Sequence, residues 1–568
     1  MSLNDNNKLN YKKNIEKKKP NRNENLKNSN TTNYPGKIVI ITNDNYEEYF
    51  NKYTGEILSE DLFNDGDILK IGNVTNRLFK INKRLFITST SPDDIIRNGG
   101  IYLLKGSDGS TITKISILNN QSMINLNGFK LILPYGIYLN NTNNNIISFN
   151  TIDSTKCSFG FALYAYNSSY DKIIYNSFHT GNSIREDTSC LVMDLSNYNN
   201  ISYNNLTAIQ SNLIYLNHLG WAGANDVCIG TYISNNYLYT EIPSQMSYGM
   251  QIVYGYHNNT TVINNTIEHV SDAINIDGEN LTIIGNKMIN LTESGIINHG
   301  KNILITDNSL IAYQDISGGI KTIGDNVSIS NNDLYFNNGS YYGIGIYSTN
   351  TTSYNNKLTM KTYGIGISIN NNNNTILNNT VLSTIDSGIY FNGSSNRILN
   401  NIIESNAYGI NANTRNARIK NNNITGNRIK SDHEGIYING LVYHTIIGNN
   451  IIDTNASLGI NRNITDKKSD SLFDNIINGI LTDPTAITIN DSNFYKFFTK
   501  EGYLNYSFKE GANKVIILGI LTNKKIIIDT PMYLMSNQNN NFLLNVKINL
   551  IKGSDGTVIK DLNTKMKQ

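Results

Sequence analysis

From about residue 119 the chain alternates short apolar runs with polar corners at a steady beat. The clearest phrase is apolar–apolar–x–Asn–x–apolar: "ISFNTI" around Asn150, "IIYNSF" around Asn176, "ISYNNL" around Asn204 and "ISNNYL" around Asn236. It continues through Asn265, Asn286, Asn308, Asn332, Asn356, Asn379, Asn401, Asn422, Asn449 and Asn475. The steps between these residues run from 21 to 32. A second phrase, a small residue followed by alternating apolar positions, keeps the same beat. It reads "GIYL" at Gly136, "AINI" at Ala273, "GIGIS" at Gly364, "GIYF" at Gly388 and "GIYI" at Gly435. Period-two segments of this kind are strands, and no 3.6-residue period accompanies them.

Repeats of this length, with several strands and no helix between them, predict an all-β fold: a right-handed parallel β-helix solenoid. Each strand would pair with its equivalent one turn on, at roughly 4.8 Å. The fourteen Asn imply about 14 coils. An Asn amide both donates and accepts, and Asn tolerates left-handed backbone, so the recurring Asn is expected to form a hydrogen-bonded ladder at one corner. The recurring Gly is expected at a sharp corner where φ is positive. A leucine-rich repeat has a similar period, but its Leu-x-x-Leu-x-Leu phrase is absent.

Outside the beat the chain repeats itself. "KGSDGS" at Lys105–Ser110 returns as "KGSDGT" at Lys552–Thr557, 447 positions on. "NDNYEEYF" at Asn43–Phe50 parallels "NDSNFYKFF" at Asn490–Phe498. "INKRLFITS" at Ile81–Ser89 parallels "TNKKIIIDT" at Thr522–Thr530, at an offset of 441 that requires compensating gaps. A solenoid's open end needs a cap. Residues 37–118 therefore read as an N-terminal cap, 119–485 as the coils, and 486–568 as a second, truncated copy of the cap. Residues 1–36 carry eight Lys/Arg against three acids and few apolar side chains, so they read as a disordered basic tail. A second opening with nothing after it suggests one and a fraction units of something longer.

Composition narrows the function. About a hundred Asn accompany only 16% charged residues and a net charge of +2. Nucleic acid is not an expected partner. The first thirty residues lack the apolar segment of a secretory signal, and no run of eighteen apolar residues offers a membrane span. Cys157, Cys190 and Cys228 lack metal-ligand spacing and read as small buried hydrophobes.

The longest step contains "NHLGWAGANDVCIGTY", residues 217–232, with the only Trp of the chain. An insertion in a solenoid maps to a loop on one face, often the binding face. Trp221, with His218 and Asp226, is therefore the candidate ligand-binding group, its indole a stacking surface for sugars. Asp194, Asp272, Asp277 and His269 are the weak catalytic candidates near this loop. Glycoside hydrolysis needs two carboxyl groups about 5–9 Å apart. The outward positions of the Gly-led strands instead read Tyr138, Asn275, Ser368, Tyr390, Asn411, Tyr437 and Asn461, a Tyr/Asn face. No metal or cofactor is expected, and acids near the corners offer at most weak Ca2+ ligation.

The Asn/Thr-rich coils, the "GIYI" and "NNTI" phrasing, the "GWAG" insertion and the repeated cap resemble the large adhesin-like surface proteins of methanogenic archaea. More broadly the array is similar to the pectate-lyase-like β-helix superfold. The adhesin resemblance implies an extracellular or cell-surface location and binding to glycans or to proteins of neighbouring cells, and it supplies no catalytic residue. The expectation is a monomeric, non-catalytic binding scaffold. The alternatives are a carbohydrate-active lyase, hydrolase or epimerase on the same fold, and a fragment of a larger surface protein with no independent role.

Overall fold

The structure, a computed structural model, describes residues 36–560 apart from short internal segments, of which 217–227 and 504–514 are the longest. One coil shows the plan. Strand Lys172–Ile174 turns at Asn176 into Ser177–Asn182, which turns into Thr188–Asp194. The next coil repeats this with Asn200–Ser202, Asn205–Gln210 and Asn212–Leu216. Each strand pairs in parallel with its equivalent one turn on, residue opposite residue: Ile173 with Ile201, Phe178 with Leu206, Leu191 with Ile214. Three parallel sheets result, called first, second and third here in their order along the coil. They hold 18, 18 and 16 strands, of which Ile480–Thr482 in the second sheet runs antiparallel to its neighbour Asn475–Ile477. The fold is a parallel β-helix, coiled in the right-handed sense that parallel crossovers adopt.

There are about sixteen turns rather than fourteen, because coil-building starts before the first ladder Asn. Strands Ile38–Ile41, Ile68–Ile71, Phe86–Ser89 and Thr111–Thr113 are the first rungs of the first sheet, continuous with Ile146–Ser148. Their corners lack the Asn; Ile115 stands in its place and donates its amide to Asn150 at 3.0 Å. "MINLNGFKLIL", the expected start of the coils, forms an antiparallel hairpin instead, Met123–Leu126 with Phe129–Ile132. "KGSDGS" is a turn between third-sheet strand Gly100–Leu103 and first-sheet strand Thr111–Thr113. Gly106 and Gly109 supply its left-handed backbone, at φ 100° and 76°.

Inside, apolar residues stack in register. Ile112, Ile147, Ile173, Ile201, Ile233, Val262, Ile283, Ile305 and Ile329 form one buried column of the first sheet. Burying such a side chain stabilises by roughly 1.5–3 kcal/mol. Ser353 interrupts the column, and its hydroxyl accepts from Asn356 Nδ2 at 3.1 Å, so the polar group is satisfied. Cys157, Cys190 and Cys228 are all buried and unpaired to one another.

The Asn corner is a saturated ladder. Asn236 Oδ1 accepts from the backbone and side-chain amides of Asn204 at 2.9 and 3.0 Å. Its Nδ2 donates to the Ile201 carbonyl and to Asn265 Oδ1, both at 2.9 Å. The pattern runs from Asn150 to Asn475. Two assignments need correction. Asn422 and Asn449 are not rungs; Asn427 and Asn450 are. Asn422 belongs to a second ladder one corner away, where its Oδ1 accepts from the Asn396 amide at 2.9 Å. Asn449 is the residue before a rung and holds φ 53°.

That last point is general. The left-handed residue is the one preceding each rung, as at Tyr203, Asn235, Asn264, Gly285 and Asp307. The rung is selected for its amide and its predecessor for its backbone, which explains the recurring "NN". Of the strand-leading glycines, Gly364 has the expected positive φ, 134°, and the others are explained differently. Gly388, Gly409 and Gly435 do not have positive φ; a Cβ on each would stand 2.2 Å from the Cγ2 of Ile403, Ile429 or Ile452. These glycines admit an isoleucine from the facing second sheet.

Residues 486–560 repeat the opening in structure. Strand Ala486–Ile489 precedes helix Phe494–Phe497 as strand Ile38–Ile41 precedes helix Tyr46–Tyr49. Asn76 and Asn523 share positive φ, at 56° and 52°. The Arg77 guanidinium lies 4.7 Å above the Tyr46 ring, and Lys524 Nζ lies 5.3 Å above that of Phe494. The offset is 447 or 448 throughout. The pairing at 441 was out of register; Lys525–Ile528 matches Leu78–Ile81. The later copy encloses its own small core around Ile489, Phe494, Phe498 and Leu518. Its "KGSDGT" lies outside the described residues.

Candidate functional site

The outer face of the third sheet carries most of the chemistry. Strand alternation sends one residue per coil outward in a single column. Read by register it runs Lys80, Tyr102, Tyr138, Tyr164, Val192, Tyr215, Gln251 and Asn275. It continues as Ile297, Lys321, Gly345, Ser368, Tyr390, Asn411, Tyr437 and Asn461. The expected Tyr/Asn positions lie in this column. Sequence reading missed Tyr102, Tyr164 and Lys321. The signal was there: "GIYL" at Gly100 is the same phrase as at Gly136, and "GIKT" at Gly319 keeps its spacing.

Three zones differ along the face. In the first, the rings of Tyr102, Tyr135, Tyr138, Phe161 and Tyr164 form a contiguous cluster with centroids 4.6 to 6.0 Å apart. Asp194 is fully buried beside them and accepts the Tyr164 hydroxyl. Burial, then the Asp194 charge, pushes the Tyr164 hydroxyl far above its ordinary range, so it remains a donor. This zone is mostly packed against itself.

The middle zone holds Gln251, Asp272, Asn275, Asp277 and His299. Asp272 is buried, its Oδ1 has no hydrogen-bond partner, and Ser294 holds its charged form. Burial first, then nearby Glu293, pushes its carboxyl up to about 7. Asp277 Oδ1 accepts the Gly278 amide at 2.7 Å. His299 is held below its ordinary pKa, chiefly by burial.

The third zone is an open groove of about 480 Å3 lined by Lys321, Tyr342, Tyr347, Ser368, Asn370 and Tyr390, among others. Its floor exists because of two glycines. The Tyr342 ring lies where side chains of Gly318 and Gly345 would stand, at 2.2 and 2.8 Å from the Cβ positions. Tyr347 meets Tyr342 edge-on at 6.1 Å, and Lys321 Nζ lies 5.5 Å above the Tyr347 ring.

The weak catalytic candidates do not converge. Three coils separate Asp194 from Asp277, its equivalent by register, about 14 Å at the strand spacing, and Asp272 lies farther from Asp194 still. Asp272 and Asp277 are five residues apart along one strand and its exit, about 16 Å. Both separations exceed what a hydrolytic carboxyl pair spans. His269 is elsewhere, at the corner after second-sheet strand Thr266–Glu268, with Nδ1 2.8 Å from the Thr240 carbonyl. His218, Trp221 and Asp226 lie outside the described residues. Among the described residues no group of three or more His, Cys, Asp or Glu is placed to hold a metal ion. No helix there is long and apolar enough to cross a membrane.

No protein-family model matches this chain, and no curated protein does. Solved structures similar to it include a tailspike protein of an E. coli bacteriophage in complex with a pentasaccharide, 11% identical. The match covers 78% of this chain and 72% of that one, at a TM-score of 0.33. The periplasmic alginate epimerase AlgG is 12% identical over 78% and 83% of the two chains, at 0.30. The GH136 lacto-N-biosidase from Eubacterium ramulus is 10% identical over 72% of this chain, at 0.28, and this chain spans 62% of its length. The strand registers by themselves define the parallel β-helix.

Proposed function

We propose that the chain is a non-catalytic glycan-binding rod, displayed outside the cell in the manner of an adhesin, and that the third sheet's outer face is its ligand surface. The observation that carries this is the open groove around Tyr342 and Tyr347, where ring faces adjoin hydroxyl and amide groups and no carboxylate takes part in the lining. Sugars present apolar C–H faces and a rim of hydroxyls, which such a surface matches. In the sequence, the Trp221 segment lies between third-sheet strand Asn212–Leu216 and first-sheet strand Tyr232–Ser234. A glycan array probed with wild type, Tyr347→Ala and Trp221→Ala tests the reading. The expected result is a specific set of glycans whose binding falls at least about tenfold in Tyr347→Ala. Unchanged binding in that variant removes the groove from the site, and an empty array removes the function.

A carbohydrate-active enzyme is the second reading, favoured by Asp272, a buried carboxyl near neutrality beside Glu293. That is the condition in which a general acid works. Release of reducing ends from a bound glycan, abolished in Asp272→Asn with binding retained, would establish it. Binding without turnover in wild type would dismiss it.

A further inference from the structure

The corner between the third and first sheets carries a second pattern. In coil after coil a left-handed residue stands two positions before an outward residue of the first sheet. In five coils the pair is Asn with Thr or Ser: Asn259 with Thr261, Asn280 with Thr282, Asn326 with Ser328, Asn350 with Thr352 and Asn373 with Thr375. All five Asn are exposed, at φ 54° to 58°. The residue between each pair (Thr260, Leu281, Val327, Thr351 or Asn374) is buried. Amide and hydroxyl therefore lie on the same outer side of the coil. Strand register aligns the hydroxyls in one column, which Leu304 interrupts once.

A chain with so many Asn contains Asn-x-Ser/Thr triplets by chance, and outward strand positions favour Thr in any case. Neither effect couples the hydroxyl to the Asn. Among the described residues of this corner, Ser or Thr follows five of eight left-handed Asn, the exceptions being Asn144, Asn302 and Asn421. It follows Gly109 alone of the seven other left-handed residues, and not Gly66, Tyr170, Tyr198, Gly230, Ser395 or His444. The corner of the Asn ladder shows no such coupling. There Ser or Thr follows two of seven left-handed Asn, Asn264 and Asn378, against four of eight others, Lys114, Phe149, Tyr175 and Asp307. The same triplet thus recurs in register at one corner, which is the exposed setting that attachment of a bulky, solubilising glycan needs.

We propose that this corner is a column of N-linked glycosylation sites, with Asn259, Asn280, Asn326, Asn350 and Asn373 as the acceptors. The inference rests on the reading above that the chain is displayed outside the cell. The donor class is an oligosaccharide carried on a lipid phosphate, transferred by an enzyme of the exporting cell. Asn Nδ2 bonds to the anomeric carbon, the bond from that carbon to the phosphate oxygen breaks, the lipid phosphate leaves, and Nδ2 gives up one proton. Its second hydrogen stays, which leaves Asn326 Nδ2 the hydrogen it donates to Asn302 Oδ1 at 3.2 Å. Neighbouring coils stand roughly 4.8 Å apart, too close for two bulky groups. Asn259 and Asn280 therefore exclude each other, and Asn350 excludes both Asn326 and Asn373.

The test is glycopeptide mass spectrometry of the full chain recovered from the surface fraction of the cells that make it, with Thr282→Val and Thr282→Ser made in the same cells. The expected result is sugar mass on at least two of the five Asn, and never on neighbouring coils of one molecule. Thr282→Val keeps Asn280 and the branched strand residue, yet should abolish sugar at Asn280 and raise occupancy at Asn259, whereas Thr282→Ser should retain the wild-type pattern. A surface-located chain bare at all five Asn overturns the proposal, as does one modified at Asn264 and Asn378 but not at this corner. Sugar persisting at Asn280 in Thr282→Val overturns the triplet as its signal. Sugar on both Asn259 and Asn280 of one molecule overturns the exclusion between coils. A chain found only in the cytoplasm removes the display reading itself and this proposal with it, a result distinct from the others.

Discussion

Asn145 donates its backbone amide and its side-chain amide to a single carboxylate oxygen of Asp171, at 2.7 and 2.9 Å. Asp171 is a rung of the second ladder, and its own amide goes to Asn199 Oδ1 at 2.7 Å. Its other oxygen is buried without a partner, at the position from which Asn199 donates to the Ser168 carbonyl. Burial outweighs the Asn145 bonds and raises the carboxyl from its ordinary 3.8 to about 7. Below 3.8 both the folded and the unfolded chain hold the proton. Between there and about 7 only the unfolded chain ionises, so stability falls as pH rises through that window and stays reduced above it. The loss is on the order of 4 kcal/mol at most. Asp171→Asn restores the missing donor. It should raise the unfolding midpoint at pH 8 and flatten the pH dependence seen in denaturant titrations at pH 5 and 8. A variant no more stable than wild type at pH 8 would refute this account.

A first-ladder rung should be less replaceable than its neighbour. Asn308→Ala removes the acceptor for Asn286 and the donor to Asn332 and to the Ile283 carbonyl. Each buried group left unpaired costs about 1–3 kcal/mol, so the variant should lose at least about 3 kcal/mol. Asn331→Gly, one residue before the next rung and at φ 54°, should be nearly neutral, whereas Asn331→Val should cost about 1–2 kcal/mol. Chemical denaturation of the three variants ranks them, and equal losses would contradict the division of labour.

Gly388→Ala places a methyl 2.2 Å from Ile403 Cγ2. Overpacking of this kind costs roughly 1–3 kcal/mol. Ile403→Ala alone should also destabilise, by about 2–5 kcal/mol, through the cavity it leaves. Together the two changes should cost less than their sum, since each makes room for the other. A double-mutant cycle showing simple additivity would mean the glycine is there for its backbone.

Cys157, Cys190 and Cys228 should be unreactive toward thiol reagents until the chain unfolds. All three are buried, and burial pushes the Cys190 thiol up to about 12. Stoichiometric labelling of the native protein at pH 8 would be the contrary result.

The coil, its parallel pairing and its Tyr/Asn face were legible because each follows from a two-residue alternation repeated at fixed spacing. The rungs near residues 422 and 449 were misplaced because "NNN" and "GNN" offer several Asn to one corner. Only the amide geometry separates a rung from its left-handed predecessor. The early turns were hidden because Ile115 fills the rung position without a side-chain amide. Lys321 could not be singled out because its surroundings, Tyr347 and the Asp272 charge among them, belong to neighbouring coils that lie far away in sequence. The buried Asp171 and Asp272 look like ordinary turn acids in the sequence, and only their surroundings make them titrate near neutrality.

The Asn ladder has one further consequence. In every step from Asn150 to Asn475 the side-chain amide donates one hydrogen to the Oδ1 of the next rung and accepts at its own Oδ1 from the rung before, while its other hydrogen goes to a backbone carbonyl of the preceding coil. The amide dipoles therefore share a direction, and hydrogen bonds in series polarise one another. Backbone bonds between parallel strands have no comparable bias, since each strand both gives and receives on each side. The rod is thus electrically asymmetric end to end, its N–H poles toward the C-terminal coils and its oxygen poles toward the N-terminal ones. A charged surface would meet its two ends differently.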